Sequence, residues 1–288
     1  MASKKPPEFG PTQRLQKSYE RGIKQITGRV LIGRLPGQSF ADWYAELVRR
    51  SQEPEVLAAS ETLASRMIFS VNATNQRTWR EAARKSSQSR QLHKYLQAEM
   101  QGPTGARVQQ LIRENAKLIS SLSLEAATTL NDEIIKAAQN GARPVTIAKM
   151  ASRRFPELLK SRTNLISRTE TAKVSTALTQ ARCERLHIEW YQWETSRDQR
   201  TRDSHKNMHK VIVPWSQTPH PELLVGEKDQ GAYNAGEIYN CRCLIIPILT
   251  VNDISFPARV YWNGSIKTMT KQQFKSIAVG LEERAEAA

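Results

Sequence analysis

The stretch Leu186-His187-Ile188-Glu189-Trp190-Tyr191-Gln192-Trp193-Glu194 is where the hydrophobic period of the chain changes. Upstream, apolar residues recur every three or four positions. Within it they alternate, with Ile188, Trp190, Gln192 and Glu194 on one face and Glu189, Tyr191 and Trp193 on the other. A period of 3.6 belongs to a helix and a period of 2 to a strand, so the fold changes character here. The expected class is α+β: a helical N-terminal half followed by a small mixed α/β C-terminal module with long polar loops. Beyond Glu194, Lys210-Val-Ile-Val213, Cys243-Leu-Ile-Ile-Pro-Ile-Leu249 and Arg259-Val-Tyr-Trp262 read as further strands, and a final helix starts at Lys271. Residues 195–209 and 214–242 are long and polar, more loop than a compact domain carries without a reason, which places local function there.

On the helical side, Leu165, Ile166, Ala172 and Leu178 predict an inward stripe on a helix over 161–186. A preceding helix opens at Pro144, carries Val145, Ile147, Ala148 and Phe155, and is expected to close at Pro156. Between Pro103 and Gly141 the pattern predicts two short amphipathic helices. Ser39-Phe-Ala-Asp42 has the spacing of a helix N-cap, followed by Phe40, Trp43, Tyr44, Leu47 and Val48 at helical intervals. The polar run Arg84-Lys-Ser-Ser-Gln-Ser-Arg90 reads as a hinge or an exposed corner. Residues 1–38 hold Pro6, Pro7, Gly10, Pro11, Gly22, Gly28, Gly33, Pro36 and Gly37, and this punctuation predicts an extended arm. The expected organisation is an arm (1–38), a helical region (39–100), a module (101–249) and a strand-and-helix extension (250–288).

With 288 residues and 39% hydrophobic content the chain can bury a core without disulfide or metal staples. Its formal net charge is +15, spread as +4 over residues 1–60, +6 over 61–150 and +5 over 151–288. An excess this even describes a broadly positive surface suited to phosphate by counterion release. No stretch approaches the roughly 20 apolar residues of a membrane span, and Met1-Ala-Ser-Lys-Lys-Pro-Pro lacks the apolar run of a signal peptide, so synthesis in a cytoplasm without membrane contact is expected. Three cysteines, two of them separated by one arginine, are expected to be free thiols or metal ligands.

The densest polar cluster is Trp193-Glu-Thr-Ser-Arg-Asp198-Gln-Arg200-Thr-Arg202-Asp-Ser-His205, with Asn240-Cys241-Arg242-Cys243 following. So many charges require partners if the loop is buried, and Asp198 with Arg200 or Arg202 is the natural pair. Three chemistries fit. His205, Cys241 and Cys243, with His209 as a further candidate, could hold zinc, although Cys-x2-Cys is the commoner spacing. Asp198 and His205 could form an acid–base dyad, which lacks an activated nucleophile beside it. The favoured reading is a lock: Asp–Arg pairs and the Cys-Arg-Cys segment pin the loops to a small sheet, with Trp190 and Trp193 packed beneath. A second feature, Ser167-Arg168-Thr169-Glu170-Thr171-Ala172, lies on the last long helix, with Arg168 close to the apolar stripe and able to reach an acid such as Asp198.

In this order, Arg168-Thr-Glu170-Thr171, then Trp193, Thr195, Asp198, Arg200, Arg202 and His205, then Cys241-Arg242-Cys243 before an apolar strand, the chain resembles the phage head morphogenesis family, the Mu F-like minor head proteins. The resemblance covers roughly residues 105–249. Two departures stand out: family members usually follow the histidine with Leu-Asp-Gly, here Met208-His209-Lys210, and carry a glycine ahead of the first strand, here replaced within Arg185-Leu-His187. The local turn geometry is therefore expected to differ. The resemblance implies a minor head protein of a tailed phage in the virion, at the portal or inner capsid, acting in assembly and in DNA packaging or ejection. Portal protein, major capsid protein and double-stranded DNA are the implied partners, and neither enzymatic activity nor an obligatory cofactor is implied. DNA contact would be non-specific, through Arg153, Arg154, Lys160 and Arg162. The rival readings are a metal-dependent hydrolase or nuclease using Asp198, His205, Cys241 and Cys243, and an exported toxin, for which no separate catalytic domain is visible.

Overall fold

The computed structural model describes residues 9–30, 38–84, 96, 99–278 and 281. Its helices are α1 (Gln13–Val30), α2 (Phe40–Ser51), α3 (Pro54–Ala83), α4 (Pro103–Gln139), α5 (Pro144–Arg185), α6 (Asp203–Met208) and α7 (Lys271–Ile277). The strands are β1 (Trp190–Glu194), β2 (Ile212–Pro214), β3 (Leu244–Pro247), β4 (Ala258–Trp262) and β5 (Ser265–Met269). The fold is α+β. Among the described residues no helix is long and apolar enough to cross a membrane.

Two compact units divide the chain: one takes in Met1–Pro11, Ser70–Val108 and Thr171–Ala288, the other Thr12–Phe69 and Gln109–Glu170. The second is helical. Its α1 corrects the expected extended arm, because Tyr19, Ile23, Ile26 and Val30 form a buried stripe that outweighs the two glycines within it. Gly22 is used there: a Cβ at this position would lie 2.3 Å from Leu63, so the missing side chain lets α1 approach α3. Tyr19 Oη donates to Asn115 on α4 at 3.0 Å, and Trp43 meets Phe155 edge to face at 5.1 Å. The predicted cap is present, Ser39 Oγ accepting from Asp42 N.

Two further expectations are corrected. Residues 103–139 form one helix, because Ile119, Leu122, Ala126 and Leu130 carry the buried stripe through the serine-rich middle, and Ser120 and Ser121 bond back to helix carbonyls. Pro156 does not end α5. It lies on the exposed face between buried Phe155 and Leu158, and Ser152, one turn back, is exposed as well. Most of the proposed hinge, 85–90, lies outside the described residues, as do 1–8 and 31–37 of the proposed arm.

The other unit is built on a five-stranded sheet of order β3-β1-β2-β4-β5. β1 pairs antiparallel with β2 and β3, β2 runs parallel to β4, and β4 and β5 form an antiparallel hairpin. The hairpin turns through Asn263 and Gly264 at φ 51° and 77°, the left-handed conformation a two-residue turn requires. Half of the sheet's outer strands thus come from the segment after 250. Alternation along β1 sends Trp190 to one face, with Ile212, Val260, Met269 and Phe274, and Tyr191 and Trp193 to the other, with Met208, Val213, Cys241, Cys243 and Ile245. Trp190 therefore does not lie beneath the cysteine cluster; Trp193 alone of the two does. A third cluster joins Phe9, Trp79, Leu96, Cys183 and Ile188. In the same unit Arg182 is wholly buried, paired to both oxygens of Glu99 at 2.8 Å and bonded to Asn72 and Asn75 on α3.

Candidate functional site

The residues singled out in the polar cluster converge on the Trp193 face of the sheet. Cys241 and Cys243 stand two positions apart just ahead of β3. Both thiols turn inward and Arg242 between them turns out, so one spacing brings two sulfurs together and frees a guanidinium for the loop outside. Arg242 grips Asp198 with both terminal nitrogens, Nη2 to Oδ1 at 2.7 Å and Nη1 to Oδ2. Asp198 also accepts from Arg200 N at 3.0 Å and Thr201 Oγ1 at 3.3 Å. Desolvation pulls its pKa up, but Arg242 and these donors outweigh it and hold the carboxyl below the usual carboxylate range. The expected pairing with an Arg200 or Arg202 side chain is thus corrected: Arg200 is exposed, and Arg202 stacks over Tyr239 at 4.5 Å and donates to its carbonyl at 3.1 Å.

His205, on the short helix α6, is 3% exposed, as are Cys241 and Cys243. Its Nδ1 lies 3.6 Å from Cys241 Sγ and 3.3 Å from Cys243 Sγ. On the opposite edge of the ring, Nε2 is 3.0 Å from Tyr233 Oη, which donates to Glu222 Oε1 at 2.5 Å. Ser204 Oγ adds a bond to the same carboxylate oxygen, and Trp193 packs edge-on against the imidazole at 5.7 Å. A proton shared from Cys243, against the pull of burial and with His205 adding to it, moves Cys241 well below the usual thiol range; Cys243, its donor, is pushed up. Burial, then Glu222, raises Tyr233, so its hydroxyl keeps its proton.

The dyad reading is not realised, since Asp198 bonds Arg242 and His205 bonds Tyr233 and the thiols. His209 stands apart from the cluster, accepting weakly from Thr195 N and lying 3.8 Å from Glu194. A cleft of about 910 Å³ on the opposite side of β1 is lined by Arg197, Lys210, Arg242, Arg259, Glu194 and Asp253, and it contains neither His205 nor a thiol. Arg168 and Glu170 belong to the helical unit, whereas Thr171 is buried in the sheet unit. Near Thr171, Thr176 Oγ1 donates to Ala235 O at 2.7 Å, and Gly236 at φ 88° leaves room for that hydroxyl. Of the four cations considered for DNA, Arg154 pairs with Glu133 and Glu157 and Arg162 with Glu125, while Arg153 and Lys160 are exposed.

Sequence reasoning missed Glu222, Tyr233 and Tyr239. The usable signal was aromatic residues inside a long polar loop, which are there because something holds them down. The two missing glycines have an unexpected outcome. His187 and Lys210 stand at φ 55° and 60°, so at both places where the family carries glycine this chain keeps the conformation glycine favours.

Comparison with known proteins bears out the resemblance. Residues 128–246 match the family described as phage Mu protein F like protein, about two fifths of the chain. An uncharacterized protein of Haemophilus influenzae is 28% identical over 171 residues, 59% of this chain and 35% of that protein. The chain thus spans about a third of the length of this curated relative. No solved structure matches it.

Proposed function

We propose, from the Mu F-like segment at 128–246, that the chain is a minor head protein of a tailed phage, carried in the virion and bound at the portal or inner capsid. It acts by binding, in head assembly and in DNA packaging or ejection. That match is the observation that carries the reading. Three features support it: the Asp198–Arg242 lock is a closed structural clamp, the cysteine–histidine cluster is buried away from the cleft, and the positive charge is spread over the chain. DNA contact is sequence-independent and falls chiefly to exposed cations such as Arg153 and Lys160, since Arg154 and Arg162 are engaged by acids.

The deciding experiment is co-expression with the portal protein, with the major capsid protein, or with both. The chain is expected to co-purify with portal or with assembled heads, and Asp198→Ala is expected to weaken incorporation while leaving the helical circular dichroism signal in place. A chain that joins neither portal nor head would overturn the reading.

A further inference from the structure

The cluster of His205, Cys241 and Cys243 carries more than a lock. Its three donor atoms, Nδ1 and two Sγ, all lie within 4.8 Å of one another. A tetrahedral zinc site with Zn–S near 2.3 Å and Zn–N near 2.05 Å separates its sulfur and nitrogen ligands by about 3.5 Å. The observed Nδ1 to Sγ distances of 3.3 and 3.6 Å bracket that spacing.

Proton placement agrees. Tyr233 has one hydroxyl proton and gives it to Glu222, so its oxygen accepts from His205 and Nε2–H is the donor. That leaves Nδ1, the atom facing both sulfurs, as the ring nitrogen available to a metal ion. A carboxylate acting through a hydroxyl on the far edge of the ring is the arrangement that orients a ligating imidazole and raises its basicity. Buried Glu222 stands behind the ring, bonded to Tyr233 and Ser204. The backbone N–H of Cys243 points at Cys241 Sγ at 3.4 Å, a contact that supports a thiolate.

We propose that His205, Cys241 and Cys243 are three ligands of a buried zinc-type divalent metal centre, oriented by the Tyr233–Glu222 relay, which staples α6 and the 214–243 loop to the sheet. The soft two-sulfur, one-nitrogen donor set selects zinc over magnesium or calcium. No fourth His, Cys, Asp or Glu joins the group among the described residues.

The test uses the full chain, purified reduced and metal-free, and titrated with cobalt(II). Saturation at one equivalent, with thiolate-to-cobalt absorption in the near ultraviolet and d–d bands in the visible, is the expected result. Zinc should bleach the bands and raise the melting temperature. The Cys241→Ser/Cys243→Ser variant should lose them, and Tyr233→Phe should keep the stoichiometry while weakening affinity roughly 10- to 100-fold. Failure of the wild-type chain to bind cobalt, recovery of the two thiols as a mutual disulfide under native conditions, or unchanged binding in the double cysteine variant would each overturn the proposal. The wild-type titration decides even if a variant fails to fold. Because the readout is metal binding, it is independent of whether the chain joins a phage head.

Discussion

Arg182 shows how much one side chain can carry in this protein. Its guanidinium is fully buried and meets Glu99, Asn72 and Asn75, so charge and hydrogen-bonding capacity are satisfied together. Arg182→Ala should cost about 3–5 kcal/mol, because it leaves Glu99 charged and unpaired in the interior. Urea denaturation checks this, and a loss below about 1 kcal/mol would show that the network is hydrated. Lys210 and His187 make the opposite prediction. Both are non-glycine residues held in the left-handed region, at about 1–2 kcal/mol each, and glycine's own entropy cost takes back about half of that. Lys210→Gly and His187→Gly should each stabilise the chain by about 0.5–1 kcal/mol, read as a shift in the urea midpoint at constant slope. The clamp itself was written in the chain to a large extent: Trp193, His205, Cys241 and Cys243 do meet. Their partners Tyr233 and Glu222 were not, because a hydrogen bond across 28 residues leaves no period or spacing in the sequence.

Among the elements, periodicity predicted β1 and the Ser39–Asp42 spacing predicted the N-cap of α2, and Gly141 does end α4, but Pro156 and the glycines of α1, read as breaks, lie inside helices. Glycine and proline weaken a helix by a finite amount, and a buried stripe can exceed it. Gly28 and Gly105 test this from two sides. A Cβ at Gly28 meets nothing within 4 Å, so Gly28→Ala should stabilise α1 by about 0.5–1 kcal/mol. At Gly105 a Cβ would fall 2.0 Å from the backbone carbonyl oxygen of Met100, and Gly105→Ala should destabilise by about 1–3 kcal/mol as the Glu99–Gln101 turn is displaced. Pro156→Ala, on the exposed face of α5, should raise the melting temperature, since it restores a helix hydrogen bond for as much as about 3 kcal/mol. Thermal melts of the three variants would settle whether tertiary packing or local propensity governs these helices.

At the level of the molecule, the charge of +15 is the property with the longest reach. Retention on double-stranded DNA should fall steeply with salt. Arg153→Ala with Lys160→Ala should lower the slope of log K against log salt by about 2 if each contacts a phosphate. An unchanged slope would move DNA contact elsewhere on the surface. What the sequence determined alone was local or additive: the change from helical to alternating period at 186–194, the net charge, the spacing of two thiols two residues apart, and the Mu F-like order of motifs. What only the tertiary structure decided was pairwise and distant: Arg242 rather than Arg200 or Arg202 on Asp198, two segments folded into one sheet, and the Tyr233–Glu222 relay that aims His205 Nδ1 at the sulfurs. The physical reason is that periodicity records which face of an element is buried, whereas the choice among equally plausible partners is made only when the chain closes its loops and brings distant charges such as Asp198 and Arg242 within reach of each other.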